Sequence, residues 1–275
     1  MAIVSNTFQT YQAIGDREDL TDIIYNISPT DTPFMSSIGK EKASGVLHEW
    51  QTDALAAAAS NNHQIEGDEI SFGAVSPTAR INNHTQISRK AVVVSGTQDA
   101  VNKAGRNNEL AYQISKSSKE LKRDMETTLC LNQTGTAGAT GTARKLSGLA
   151  SWIQASTSVG TSGANGQVSS VDTPGTARTD GTQRAFTEAQ LKDVVKKCWD
   201  EGGDPSMIML GSFNKQKLSG FTGGSTKMTS AEDKRLVNAV DIYESDFGAM
   251  TVVPNRFSRS RDCFVLQPDM WAVAF

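Results

Sequence analysis

The chain has 275 residues, 37% of them hydrophobic, with 30 acidic against 27 basic side chains and a formal charge of -3. That length and apolar content suit a sizeable core, in one large domain or two modest ones, and exclude a disordered chain. The near-neutral balance excludes a protein that coats nucleic acid by bulk charge, and with neither a membrane-length apolar run nor a signal-like start in MAIVSNTFQTYQ, a soluble, cytoplasmic product is expected.

Taken in chain order, Leu20, Ile23, Ile24 and Ile27 form a short amphipathic piece ending at Pro29, with Asp16, Glu18, Asp19 and Asp22 as a solvated acidic face. The two prolines of SPTDTPF then require an extended or turned path, so residues 1–45 read as an arm. VLHEWQTDAL over 46–55 suits a strand, and TARINNHTQISRKAVVVS over 78–95 suits a longer one with an apolar end. Joined by an alanine-rich then polar linker, the two make a long hairpin. It lacks the apolar alternation to close on a core of its own, so a neighbouring subunit is the expected surface for it.

Residues 107–132, NNELAYQISKSSKELKRDMETTLCLN, predict the best helix in the chain, capped by Asn107 or Asn108 with Glu109 in the first turn. Its apolar stripe is expected along Leu110, Ile114, Ser117, Leu121, Met125 and Thr128. Lys116 with Glu120 and Lys122 with Glu126 are expected as pairs on the charged opposite face. Residues 133–183 are dominated by Gly, Thr, Ser and Ala around one apolar island, LSGLASWI, in which Trp152 and Ile153 are the expected pins. That composition reads as an inserted loop, exposed, mobile or ordered by a partner.

Thr187 and Gln190 have capping-box spacing, and Leu191, Val194, Val195, Cys198 and Trp199 form a helical stripe ending at Gly202-Gly203. A strand is expected at 207–210, a short helix at 214–219, and further strands at 236–243, 250–253 and 263–266. The ending WAVAF stops within an apolar strand, which leaves room for residues beyond Phe275. The whole predicts an α+β fold of helices with an antiparallel sheet.

The residues offer little chemistry. His48, His63 and His84 share the hairpin region without metal-ligand spacing, although His48 and His84 are placed to face each other across it. Gly-rich GTAGATGTARK lacks the end of a phosphate loop, no GxSxG or HExxH occurs, and Asp68-Glu69 sits where nothing would raise a carboxyl pKa. Cys130, Cys198 and Cys263 form no CxxC pair and read as small apolar residues, while the triplets at Asn26, Asn83 and Asn132 read as chance matches to the glycosylation pattern. Arg256, Arg259 and Arg261 are read as a solvated turn in preference to a phosphate contact. No catalytic residue, cofactor or metal is expected.

The order of these parts, with the phrases YNISPTDTPFMSSIGK, HEWQTDAL, GLASWI, GTQRAFTEAQL and GSFNKQKLSGF, resembles the major capsid proteins of tailed bacteriophages with the Hong Kong 97 fold. The resemblance implies an N-terminal arm (1–45), an extended hairpin loop (46–94), a peripheral domain (95–185) with spine helix 107–132 and insertion 133–183, an axial domain (186–253) and closing strands (254–275). It implies a non-enzymatic subunit of an icosahedral shell around double-stranded DNA, assembled in the host cytoplasm from hexamers and pentamers, with scaffolding, portal and decoration proteins as candidate partners. Contact with packaged DNA would be weak and non-specific. The bulky N-terminal scaffolding region of some relatives is not found, so either a separate scaffold or none is expected. Trp50, Ile65, Glu66, Asp68, Glu69, Phe72, Arg80 and Arg89 are the expected assembly contacts. A cellular nanocompartment shell, or an enzyme or binding domain with an unrecognised site, are the alternatives.

Overall fold

Four consecutive apolar residues between Pro205 and Gly211 can be a strand only if both faces are covered. In the computed structural model of the chain they are: strand β4 (Met207–Leu210) is buried throughout, at the centre of a sheet. The structure describes residues 24, 26, 28–70, 72–168, 175–221 and 240–275. The predicted acidic helix face of the arm lies outside them, as does the first half of the strand expected at 236–243. The chain divides into two compact units, 1–30 with 90–121 and 31–89 with 122–275, and the division falls inside one helix.

In the larger unit the described elements are α1 (Pro33–Ser37), β1 (Gly39–Glu41), β2 (Leu47–Thr52), β3 (Ala79–His84), α4 (Glu188–Asp200), β4, α5 (Ser212–Ser219), β5 (Ile242–Ser245), β6 (Gly248–Pro254), β7 (Cys263–Leu266) and β8 (Ala272–Ala274). The main sheet runs β5-β6-β4-β7. It is not purely antiparallel as expected: β4 runs parallel to β6 and antiparallel to β7. A second parallel pair joins β1 to β8, in register from Gly39 with Ala272 to Glu41 with Ala274.

Because side chains alternate along a strand, β4 feeds two cores. Met207 and Met209 pack with Phe34, Ile38, Cys130, Leu149, Ala150, Phe264 and Leu266. Ile208 and Leu210 face Leu191, Val195, Leu218, Met250 and Val252. Each such fully buried side chain stabilises the fold by roughly 1.5 to 3 kcal/mol. Helix α4 covers the second core through Leu191 and Val195, as its stripe predicted. Trp199 departs from that stripe, being more than half exposed and stacked on Phe247 with ring centroids 5.3 Å apart. Thr187 holds the cap position, yet its hydroxyl makes no capping bond.

The segment before β1 also differs from expectation. Pro33 opens a helical turn instead of prolonging the extended run, as a proline can at the first helical position, where no N–H is needed. The hairpin is shorter than the sequence implies. Six residue pairs, from Leu47 with His84 to Thr52 with Ala79, form the ladder, and 85–95 form no strand. In this register His48 opposes Asn83, so the two histidines do not face each other.

The smaller unit holds α2 (Gly96–Ala100) and the first half of α3 (Glu109–Cys130). Ser95 caps α2 by accepting from the Gln98 N–H at 3.2 Å, and Asn108 caps α3 by accepting from the Ala111 N–H at 2.8 Å. The expected apolar stripe of α3 is not its buried face. Leu110 and Ile114 are exposed, whereas Glu109, Glu126 and Cys130 are buried. Neither expected lysine–glutamate pair forms.

Glu109 accepts from Gln113 Nε2 at 2.7 Å and from Arg106, and these two partners hold its carboxyl below its ordinary value of 4.5. A lowered folded-state pKa stabilises the fold above the unfolded value, and that contribution is lost as pH falls through the folded one. The protection of the first-turn amides of α3, taken relative to their intrinsic exchange rates, should therefore fall as the medium is acidified through the carboxylate range. Glu109→Gln should remove that acid step, and an unchanged step would disprove the assignment.

Candidate interaction surfaces

Glu126 is a carboxylate with no solvent exposure, on the part of α3 that belongs to the larger unit. It accepts from the Phe34 N–H at 2.8 Å and the Met35 N–H at 2.9 Å, the free donors at the start of α1. Asn255 Nδ2 donates to it at 2.7 Å, while Asn255 Oδ1 accepts from the Phe257 N–H at 2.8 Å. One buried carboxyl group thus ties the segment before β1, helix α3 and the end of β6 together. The sequence reading had placed this residue on a solvated face.

Where it is described, the region 133–183, expected as an inserted loop that is exposed, mobile or ordered by a partner, makes bridges within its own chain. Antiparallel bridges join Thr136 with Lys145, Ala139 with Thr142, Ala164 with Thr179 and Gln167 with Thr176. Its glycines serve close packing: a Cβ on Gly148 would meet the Leu131 carbonyl, and one on Gly166 would lie 2.6 Å from the Ser151 carbonyl. Gly148→Ala should cost about 2 kcal/mol or more in chemical denaturation, because backbone on both sides must shift. A loss below about 0.5 kcal/mol would disprove this close approach.

Charges hold the region to the sheet. Arg178 pairs with Asp262, Arg259 with Asp180, and Arg261 Nη1 reaches Asp180 at 3.3 Å and donates through Nη2 to the Gly181 carbonyl at 2.8 Å. Arg259 Nε also lies 3.4 Å from Asp262. The expected turn is present and Arg261 is exposed on it, but Arg259 and Arg261 are paired with carboxylates and are no free phosphate site; Arg256 alone of the three is exposed without such a partner. Sequence reasoning missed Arg178, Asp180 and Asp262, which lie far apart in the chain and form no motif.

Between this region and the sheet is a cavity of about 200 Å³. Its floor is apolar, with Ile153, Val159, Phe186, Leu191 and Val265, and Arg178, Arg184 and Arg261 stand with Asp180 and Asp262 among its walls. Arg184 donates to the Ser158 hydroxyl at 2.6 Å and has no carboxylate partner among the described residues.

The hairpin base rests on its own chain. Trp50 stacks on Trp152 with centroids 5.4 Å apart, the Ser147 N–H donates to Asn83 Oδ1 at 2.8 Å, and Arg144 Nε donates to the Thr85 carbonyl at 3.2 Å. Beyond the ladder the burial stops. Leu55 is 99% exposed, Ile65 80%, Ile70 78%, Phe72 95% and Val75 95%. Of the expected contact residues, Ile65, Glu66, Asp68, Glu69 and Phe72 lie on this projection and Arg89 is exposed after β3. Arg80 lies 3.5 Å from Glu49 within the ladder, and Trp50 is taken up by Trp152.

Among the described residues no cluster of three or more His, Cys, Asp or Glu could hold a metal, and no helix is long and apolar enough to cross a membrane. Burial pushes the thiols of Cys130 and Cys263 up to about 12, helped by the charges of Glu126 and Asp262. Against an ordinary thiol near 9.0, this leaves roughly a thousandfold less thiolate at pH 8. The fully buried Cys130 thiol should resist a disulfide reagent until the chain unfolds, and its stoichiometric labelling in the native subunit would contradict that burial, whereas half-buried Cys263 should react slowly.

A family model described as SU10 major capsid protein matches residues 3–275. The chain is also similar to a protein named major capsid protein from Escherichia phage Phieco32, at 29% identity over 296 aligned residues that cover 96% of this chain and 84% of that protein.

Proposed function

The chain belongs to the SU10 major capsid protein family, and from that premise we propose that it builds its shell in the manner of the Hong Kong 97 fold. Its role is structural and not enzymatic: it is a phage capsid protein that self-assembles into the shell of the virion. In the proposed arrangement residues 1–45 are the arm, 46–94 the extended loop, 95–185 the peripheral domain with its spine helix and insertion, 186–253 the axial domain and 254–275 the closing strands. Hexamers and pentamers tile an icosahedral lattice around double-stranded DNA. Portal, decoration and, where a separate one is used, scaffolding proteins are the candidate further partners, and assembly takes place in the host cytoplasm.

The carrying observation is the hairpin projection. Residues 53–78 lie beyond the ladder, and their large apolar side chains, Leu55, Ile65, Ile70, Phe72 and Val75, are almost wholly in water. Apolar surface on this scale marks an interaction site, and in a shell the available partner is a sister subunit. The charge pattern agrees with a wall that encloses DNA loosely, because Arg178, Arg259 and Arg261 spend their charge on Asp180 and Asp262.

Deleting Ala56–Phe72 tests the reading. The variant should remain folded by circular dichroism and elute as unassembled subunits or small oligomers, with electron microscopy showing no shells. Intact particles from that deletion would overturn the role given to the hairpin.

A further inference from the structure

We propose that the cavity between the 153–184 region and the main sheet is the socket into which a second copy of this chain inserts its hairpin tip, Ile65–Ile70. The inference rests on the hairpin's role in assembly proposed above and assigns its receptor.

The tip reads Ile-Glu-Gly-Asp-Glu-Ile, three carboxylates bracketed by two isoleucines, and no lysine or arginine lies between Asp53 and Thr78. It is a defined turn. The Asp68 N–H donates to the Ile65 carbonyl at 3.1 Å, Gly67 takes a positive φ of 85°, and the Glu69 N–H donates to Asp68 Oδ1 at 2.9 Å. Both isoleucines are nearly bare. Eight residues lie between Ile70 and Ala79, an extended reach of at most about 30 Å beyond the ladder, enough to span to an adjoining subunit.

The cavity is complementary in both respects. The whole cavity, at about 200 Å³, has apolar side chains in its lining and room for an aliphatic side chain or two, and is small for a cofactor. At its walls and beside them, four arginines (178, 184, 259 and 261) face two aspartates (180 and 262), leaving a positive excess. Arg178, Arg259 and Arg261 are committed to those aspartates, whereas Arg184, exposed and bonded to a hydroxyl, is available to an incoming carboxylate. Duplex DNA fits this site poorly. A rigid duplex cannot enter so small a concavity, its phosphates would meet Asp180, and it has nothing for the apolar floor.

The test is a full-length Asp68→Cys/Arg184→Cys variant, assembled and then oxidised. A tip seated in a neighbour's socket gives a ladder of disulfide-linked multimers on a non-reducing gel, absent from either single variant. Particles that form without the ladder overturn the socket. Should the pair not assemble, charge reversal decides. Arg184→Glu and Asp68→Lys/Glu69→Lys should each lower particle yield at least tenfold, and their combination should recover most of it. Without recovery the socket is disproved, and Arg184→Glu particles that form normally but lose packaged DNA assign the arginines to the genome instead. A missing ladder combined with failed assembly of the Ala56–Phe72 deletion sinks only the socket, whereas shells from that deletion sink the hairpin reading itself.

Discussion

Glu126→Ala should destabilise the unassembled subunit by about 3 to 5 kcal/mol in urea denaturation. The substitution strands the Phe34 and Met35 N–H groups and the Asn255 amide in a site with no solvent access. Each hydrogen bond to a charged acceptor contributes about 1.5 to 3 kcal/mol, and removing one partner exposes the desolvation cost of the others. Glu126→Gln should lie between wild type and alanine, because its carbonyl can still accept one N–H while its NH₂ must face another donor. The structural consequence reaches both ends of the unit. Residues 33–37 lead directly into β1, and β1 pairs with β8, so loosening α1 should also raise amide exchange in 272–274. A loss under about 1 kcal/mol, or protected β8 amides in Glu126→Ala, would show that the carboxylate is not the anchor.

The legible part of this fold is the part written in local pattern. β4 and β7 occupy the residues expected of them because an apolar run between Pro205 and Gly211, and one after the charged turn at 259–262, leave few other options. Helix α3 begins one residue after Asn108 because an asparagine at that position satisfies a free N–H. Glu126 was illegible for the opposite reason. Its partners lie 92 and 129 residues away, and nothing local separates a glutamate that will accept three buried donors from one that will face water.

The region 133–183 carries a sharper lesson. A composition of glycine, threonine and serine reads as a loop that is exposed, mobile or ordered by a partner, whereas Gly148, Gly160, Gly166 and Gly181 sit where a side chain would strike neighbouring backbone. Composition alone does not distinguish a glycine kept for freedom from one kept for close approach. The arginine cluster was visible in the sequence, but its counter-ions Asp180 and Asp262 were not. Only the exposure of Ile65 and Phe72 is local in origin, because a linker so polar and alanine-rich builds no core.

Those counter-ions carry the second large effect. Asp262→Ala should lower stability by about 2 to 3 kcal/mol, less than the full cost of breaking a buried pair because Arg178 retains some solvent contact. Asp262 is itself buried, accepts from Arg178 and lies 3.4 Å from Arg259 Nε, so its removal leaves three arginines, 178, 259 and 261, around Asp180. The mutual repulsion should open the 156–182 region before the sheet, because Phe264 and Leu266 keep their core contacts on the same strand. Limited proteolysis should therefore cut that region at least tenfold faster while the resistance of 207–210 and 263–266 is unchanged. Asp262→Asn should fall between the two, since its carbonyl still accepts from Arg178 while its charge is gone. If cutting is not accelerated and stability moves by less than about 0.5 kcal/mol, the ion network is surface charge that holds nothing.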